Sequence, residues 1–254
     1  MSVRNNTSWS DKSVGLEKDN SDIGLTKIKK SGKSVIGNRI IGNAFLVGEE
    51  MSVRDTSIDP RLLQSARKEF RKNGFIKADL KTICDNAGVT TGAVYKRYKG
   101  KEELFQAVVK ETADILDAFV TVRTDMDFSG MTDEEVRGTW KMDEKSIRDL
   151  FGILWKIRDD FVLLLERSAG TVYENYGHEF ALRMTDAYMQ YYLEAKRRGL
   201  AKADISKDEM HVLCTSFWTA IYEPFVHKMT WKEIEEHCRV MCRFYDWTKA
   251  LDMK

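Results

Sequence analysis

Proline is nearly missing from this chain of 254 residues: only Pro60 and Pro224 occur. Proline removes a backbone donor and breaks helix interiors, so long stretches carry no breaker and helix is favoured. Cysteine is scarce as well. Cys84, Cys214, Cys238 and Cys242 are not spaced as a disulfide framework, and reduced thiols in a cytoplasmic protein are the expectation. No run of about 18 apolar residues is present, so no hydrophobic spanning helix and no membrane partner are expected. The chain also lacks an apolar stretch behind a basic start, so no secretory signal is expected. No GxGxxG, P-loop or HExxH pattern occurs, and His178, His211 and His227 sit near no nucleophile pattern. Glu102-Glu103 and Glu235-Glu236 read as solvated helix faces. His237-Cys238 with Cys242 places two thiols one turn apart, too few ligands for a tetrahedral metal site. No enzyme, cofactor or metal is therefore expected.

What is present is charge, unevenly spread. The net charge of +1 conceals a strongly basic segment. Residues 57–101 hold eleven Lys/Arg against four acids, a balance of +7. Residues 1–50 carry +2 and residues 102–254 carry −8. A basic module on an acidic body points to a polyanion partner for the module alone.

Residues 1–54 are rich in Ser, Asn, Gly and Lys with no sustained period, and read as a disordered extension. From there the periodicity is helical. Asp59 can cap a first helix with Pro60 at its first position, and Asn73-Gly74 ends it. Asp79 caps a short second helix that ends at Gly88. Thr90 or Thr91 caps a third, Gly92 to Tyr98. A fourth runs from about Glu102 to Arg123 with an apolar stripe. Residues 125–142 read as short helices and a loop, followed by helical segments over 144–168, 173–198, 206–228 and 230–251. No strand alternation competes. The expected fold is all-α: a three-helix helix-turn-helix domain over 55–115, joined by a long helix to a helical ligand-binding and dimerisation domain over 116–254.

The segment 79–98 reads DLKTICDNAGVTTGAVYKRY. Ala87 lets two helices approach, Gly88 turns the chain and Val89 fills the angle between them. Gly92 and Ala93 keep the next helix slim enough for a major groove. Thr90, Thr91, Ala93, Val94 and Lys96 form the expected groove-facing set, with Val94 alternatively facing the core. Lys81, Thr82, Gly92, Tyr95, Arg97, Tyr98, Lys99 and Lys101 complete the candidate DNA-contact residues, mostly through phosphate.

Residues 57–110 resemble the N-terminal domain of the TetR family of bacterial transcription regulators. The runs LLQSARKEFRKNGF, ICDNAGVTTGAVYKRY and KGKEELF stand in that family's order and spacing. The resemblance implies a homodimer on a pseudo-palindromic operator in double-stranded DNA. It also implies a ligand pocket and dimer interface built by the C-terminal helices, and release of DNA when ligand moves the long linking helix. One position departs. The family often has Thr before the second helix, and this chain has Asp79, a good cap that repels phosphate.

In the body, Met210, Leu213, Phe217, Ile221 and Phe225 share one stripe, and Ile234, Cys238, Met241 and Tyr245 another. Helices apolar on two faces are buried on two sides. These residues are the expected four-helix dimer interface. Phe151, Trp155, Glu166, Tyr173, Tyr176, Met184, Tyr188, Phe217 and Trp218 are the candidate pocket for a small apolar or aromatic effector. Glu166 is either a buried carboxylate there or a partner of Arg167 on the exposed face.

Met1-Ser-Val-Arg-Asn is echoed by Met51-Ser-Val-Arg-Asp, after Gly48-Glu49-Glu50. Translation starting at Met51 is one reading of this echo, and a genuine flexible tail is the other. The intact mass of protein expressed from its own locus separates them. A start at Met51 predicts a chain shorter by fifty residues, and a mass beginning at Met1 or Ser2 overturns it.

Overall fold

The computed structural model describes residues 58–253, together with the backbone of residues 16–17 and 27–28. Leu16–Glu17 (β1) and Lys27–Ile28 (β2) form a two-residue antiparallel pair. The remaining expectations for residues 1–54, including disorder, lie outside the described residues. Residues 58–253 are helical: α1 (Ile58–Lys77), α2 (Leu80–Ala87), α3 (Thr91–Tyr95), α4 (Lys101–Thr124), α5 (Asp133–Gly138), α6 (Glu144–Glu166), α7 (Tyr176–Arg197), α8 (Lys207–Val226), α9 (Trp231–Phe244) and α10 (Trp247–Ala250).

Local chemistry sets most of these ends. Asp79 caps α2 by accepting from the backbone N–H of Lys81 and Thr82, and Gly88 closes it in the left-handed region (φ 66°, ψ 38°). Only glycine takes that conformation without strain. Thr132 and Thr230 form reciprocal capping boxes with Glu135 and Glu233, while Asp143 and Ser206 cap α6 and α8. Gly74 (φ 70°, ψ 168°) interrupts α1, and the freed Phe75 N–H donates to the Arg167 carbonyl at 3.0 Å.

Leu62, Ala66 and Phe70 of α1, Ile83 of α2 and Val94 of α3 are sealed beneath Leu104 and Phe105 of α4. Phe105 meets Phe70 and Phe75 edge-on, at 5.1 and 5.5 Å. Further along, α4 contributes Leu116 and Val120 to the core of the body, where it packs against α6 and α7. α1 also docks on the body directly. Its Arg67 reaches Asp160 and its Arg71 reaches Asp159, both on α6, at 2.8 and 2.9 Å.

Two expectations change. Asp59 pairs with Arg97 at 2.6 Å instead of standing as the first helix's cap. The single helix expected over 230–251 breaks at Tyr245 and Asp246. Asp246 accepts from Lys249 N–H and the Thr248 hydroxyl, starting α10 afresh. The turn swings Trp247 and Leu251 back into the core, where Trp247 stacks on Tyr188 at 5.8 Å.

Pro224 sits inside α8 and cannot donate to the Ala220 carbonyl one turn back. His237 of α9 fills the vacancy: its Nε2–H donates to Ala220 O at 2.8 Å, which fixes the tautomer. Replacing His237 by Ala leaves that carbonyl without its donor and should cost about 1–2 kcal/mol. Adding Pro224→Ala restores a backbone N–H, so the loss should shrink in the double variant. Denaturant melts of the four proteins check this, and strictly additive losses would refute the exchange.

Candidate nucleic-acid interface

The exposed face of the helix-turn-helix is built from short, well-capped elements. Thr90 caps α3, its hydroxyl accepting from Ala93 N–H at 3.2 Å. Asp79, the position that departs from the family pattern, accepts from Thr82 N–H at 2.9 Å and from the Thr82 hydroxyl at 2.7 Å. Those bonds hold its carboxyl below the usual range. Behind it, the buried carboxylate of Glu69 accepts from the backbone N–H of Asp79 at 3.2 Å and from Asn73. The Ser65 hydroxyl donates to the Ile83 carbonyl at 2.8 Å. The α1–α2 corner is thus tied by side chains as well as by packing.

Among the candidate residues, Lys81, Thr90, Thr91, Gly92, Tyr95, Lys96 and Lys99 are exposed. Tyr95 is 60 % exposed, although its aromatic ring would gain from burial. Thr82, Ala93 and Tyr98 are half-buried. Three candidates hold other positions. Val94 is fully buried, which settles its alternatives in favour of the core. Arg97 is only 8 % exposed along its side chain. It binds Asp59 and the Ala93 carbonyl, joining α3 to the start of α1. Lys101 donates to the carbonyls of Ile76 and Ala78 at 3.1 and 3.0 Å and lies 4.7 Å over the Phe75 ring. Its ammonium satisfies the open end of α1, a role its position beside Lys99 concealed.

Residues 62–108 match the family described as bacterial regulatory proteins, tetR family. The likeness to that family is carried by this segment. Its curated relatives include the HTH-type transcriptional regulator UidR of Escherichia coli K12, 39 % identical over 49 residues, 19 % of this chain and 25 % of UidR. The transposon Tn10 TetC protein of Escherichia coli is 35 % identical over 65 residues, 26 % of this chain and 33 % of TetC. The matches thus span a quarter to a third of those relatives' length. Among solved structures, SCO3833, a TetR transcriptional regulator family member from Streptomyces coelicolor A3, is 16 % identical. It covers 91 % of this chain and 97 % of its own, with a TM-score of 0.51. Native NalD of Pseudomonas aeruginosa, the secondary repressor of the MexAB-OprM multidrug efflux pump, is also 16 % identical. It covers 74 % and 96 %, with the same TM-score of 0.51. At these identities the likeness is one of fold, and it covers the helical body as well as the helix-turn-helix.

In that body the candidate pocket residues separate into groups. Tyr188 and Phe217 line a small cavity of about 10 Å³ with Thr139, Trp140, Met142 and Trp247. Phe151 and Trp155 pack on Phe225 elsewhere, Phe151 at 5.7 Å. Trp218 lies 4.0 Å from Phe180. Tyr176 donates to Asp117 at 3.1 Å and neighbours the half-buried Tyr173 at 5.9 Å, and Met184 is buried. Glu166 is exposed, as is Arg167, so it is no buried carboxylate. The cavity-lining Trp140 was not among the candidates, and its position in a charged, irregular stretch gave no periodic signal.

The expected dimer residues are also placed differently. Met210, Phe217, Ile221, Phe225, Ile234, Cys238 and Met241 are all buried within one subunit, while Leu213 and Tyr245 are half-buried. Burial in their own core leaves the first seven little surface for a partner. Cys214 and Cys238 are likewise sealed, and burial pushes each thiol up to about 12, so both remain protonated.

Lys96 and Lys101 should now behave oppositely. Lys96→Ala is expected to flatten the salt dependence of DNA affinity by about one unit of log–log slope, at unchanged stability. Lys101→Ala should lower the melting temperature and leave that slope unchanged. Salt-titrated binding with melting curves decides, and a flattened slope for Lys101→Ala would return it to the phosphate-contact set.

Proposed function

We propose that this chain is a homodimeric transcription repressor that binds a pseudo-palindromic operator and releases it when a small apolar or aromatic effector enters the body. The observation that carries the DNA-binding reading is the outer face of α3. Thr91, Gly92, Tyr95 and Lys96 stand exposed there, above the fully buried Val94. A helix rooted by one apolar side chain and faced with hydroxyl, phenol and ammonium groups suits phosphate and base-edge contact. Thr90, Lys81 and Lys99 extend the same surface. The family match supports the reading, because it covers this segment and reaches into α4. Selecting bound duplexes from a random library tests it. A two-fold-related consensus is expected, and no enrichment would leave a helical interaction protein of the same fold as the better reading. Reporter assays on the selected site distinguish repression from activation.

The dimer reading moves to the outward side of α8 and α9. Val212 is 60 % exposed, Val240 51 % and Phe244 76 %. Large apolar groups held in water favour a partner that covers them. A second copy is the occupant proposed, because a two-fold operator needs two α3 helices at a fixed spacing. Val240→Glu with Phe244→Glu should halve the mass seen by light scattering without lowering the melting temperature of the subunit. The same variant should lose most of its affinity for a full operator. A dimer that survives both changes would rule out this face.

A further inference from the structure

The first turn of α1 lies along α3. Asp59 accepts from the Arg97 Nε–H at 2.6 Å, and Arg97 stands two residues past the end of α3. Arg61 is exposed in the same turn. Its Nη1 lies 3.8 Å from the point where a side chain on Gly88 would begin. Gly88 closes α2 two residues before Thr90, the cap of α3. The start of α1 therefore flanks α3 at both ends, touching the turn before it and the residue after it. The chain that precedes Ile58 enters the fold beside α3.

That preceding chain is not evenly charged. Its first 22 residues carry Arg4, Lys12 and Lys18 against Asp11, Glu17, Asp19 and Asp22, a balance of −1. Residues 23–48 contain no aspartate or glutamate at all. They hold Lys27, Lys29, Lys30, Lys33 and Arg39, a balance of +5 that the +2 of residues 1–50 conceals. From Arg39 to Ile58 the chain runs 19 residues, roughly 65 Å at full extension. One turn of duplex is about 34 Å, so phosphates on either side of an α3 contact lie within that length.

We propose that residues 27–39 are a second DNA-binding element, laid on the phosphates that flank the site read by α3, with Arg61 joining the two surfaces. Two polyanions compete for these cations. The body, residues 102–254, spreads its −8 over 153 residues. A duplex presents one charge for about every 1.7 Å of its axis and gives up condensed counterions when lysine replaces them, so the duplex is favoured. The run offers cations and apolar groups, with no acid to aim at a base donor, which suits backbone contact over sequence reading. The proposal rests on the DNA-binding reading above and extends its surface.

The test uses the full chain, the selected operator and a scrambled duplex of equal length. Lys29→Gln with Lys30→Gln and Lys33→Gln should flatten the salt dependence of affinity by about 2–3 units of log–log slope. At about 0.1 M salt it should weaken binding tenfold or more, by similar factors on both duplexes, because phosphate contacts carry no sequence. Arg61→Ala should flatten the slope by about one unit. Lys156→Gln with Lys228→Gln and Lys232→Gln removes the same charge from the exposed surface of the body and should leave the slope as it was. Melting curves check that each variant is folded. A readout without substitutions is acylation of lysines by an N-hydroxysuccinimide ester, followed by mass spectrometry. Operator DNA should protect Lys29, Lys30 and Lys33 in the wild-type chain. A wild-type slope in the 29/30/33 variant, an equal flattening in the body variant, or unprotected lysines in that run would each overturn the proposal. An unchanged slope for Arg61→Ala would take the first turn of α1 off the DNA side and overturn it as well. In all these cases operator binding by the full chain keeps the DNA-binding reading standing. Failure of the full chain to bind either duplex would take down both, and a native protein that begins at Met51 would take down this proposal alone.

Discussion

Phe105 holds the molecule's two parts to one helix. Its ring meets Phe70 and Phe75 edge-on, so the helix-turn-helix core closes only when α4 is seated in it. The remainder of α4 runs on into the body, and its 24 residues span about 36 Å. A rigid rod shared by two cores transmits tilt rather than absorbing it, because close-packed interiors do not deform continuously. A helix-turn-helix with its own complete core would be free to sit anywhere relative to the body. This one borrows Leu104, Phe105 and Val108 from the rod, and its orientation is set by where the far end of α4 lies.

The cationic surface shows how a count of charges divides once partners are known. The segment 57–101 carries +7, but Arg97 holds α3 to α1 through Asp59, and Lys101 closes the end of α1. Arg67 and Arg71 are turned toward α6 instead of outward. The exposed cations near α3 include Lys81, Lys96 and Lys99, with Arg61 beside the turn at Gly88. Fewer cations at defined places serve register better than many mobile ones, since phosphate contacts position a protein while base contacts specify the site.

The order of elements, the caps at Asp79 and Thr90 and the turn at Gly88 were legible in the sequence because each is decided within a few residues. Helical periodicity and cap chemistry are local signals. What was not legible is which surface an apolar stripe faces. The stripe through Met210, Phe217, Ile221 and Phe225 has the same period whether it meets its own core or a second subunit. Long-range partners behave likewise. Nothing local distinguishes Lys101, bound to carbonyls more than twenty residues back, from the exposed Lys99. The break at Tyr245 and Asp246 was hidden because Trp247 and Leu251 continue a helical stripe, while an aspartate cap and the stacking of Trp247 on Tyr188 reward turning the chain.

α4 is not the sole tie between the two parts. Arg67 and Arg71 reach Asp160 and Asp159, the Phe75 N–H donates to the Arg167 carbonyl, and Glu102 accepts from Val172 N–H at 3.2 Å. These links are polar; the Arg71–Asp159 pair is exposed and worth about 1 kcal/mol or less, while Asp160 is partly buried under Arg67. The aromatic packing around Phe105 is buried and costs far more to open. A change in the body therefore has two unequal joints to work against. It can loosen the polar contacts of α1 with α6 and the 167–172 loop, but it must carry the Phe105 cluster along intact. The motion this permits is a rotation of the whole helix-turn-helix with α4, pivoting where the contacts are weak. In a dimer such a rotation would change the spacing between two α3 helices while leaving each one folded.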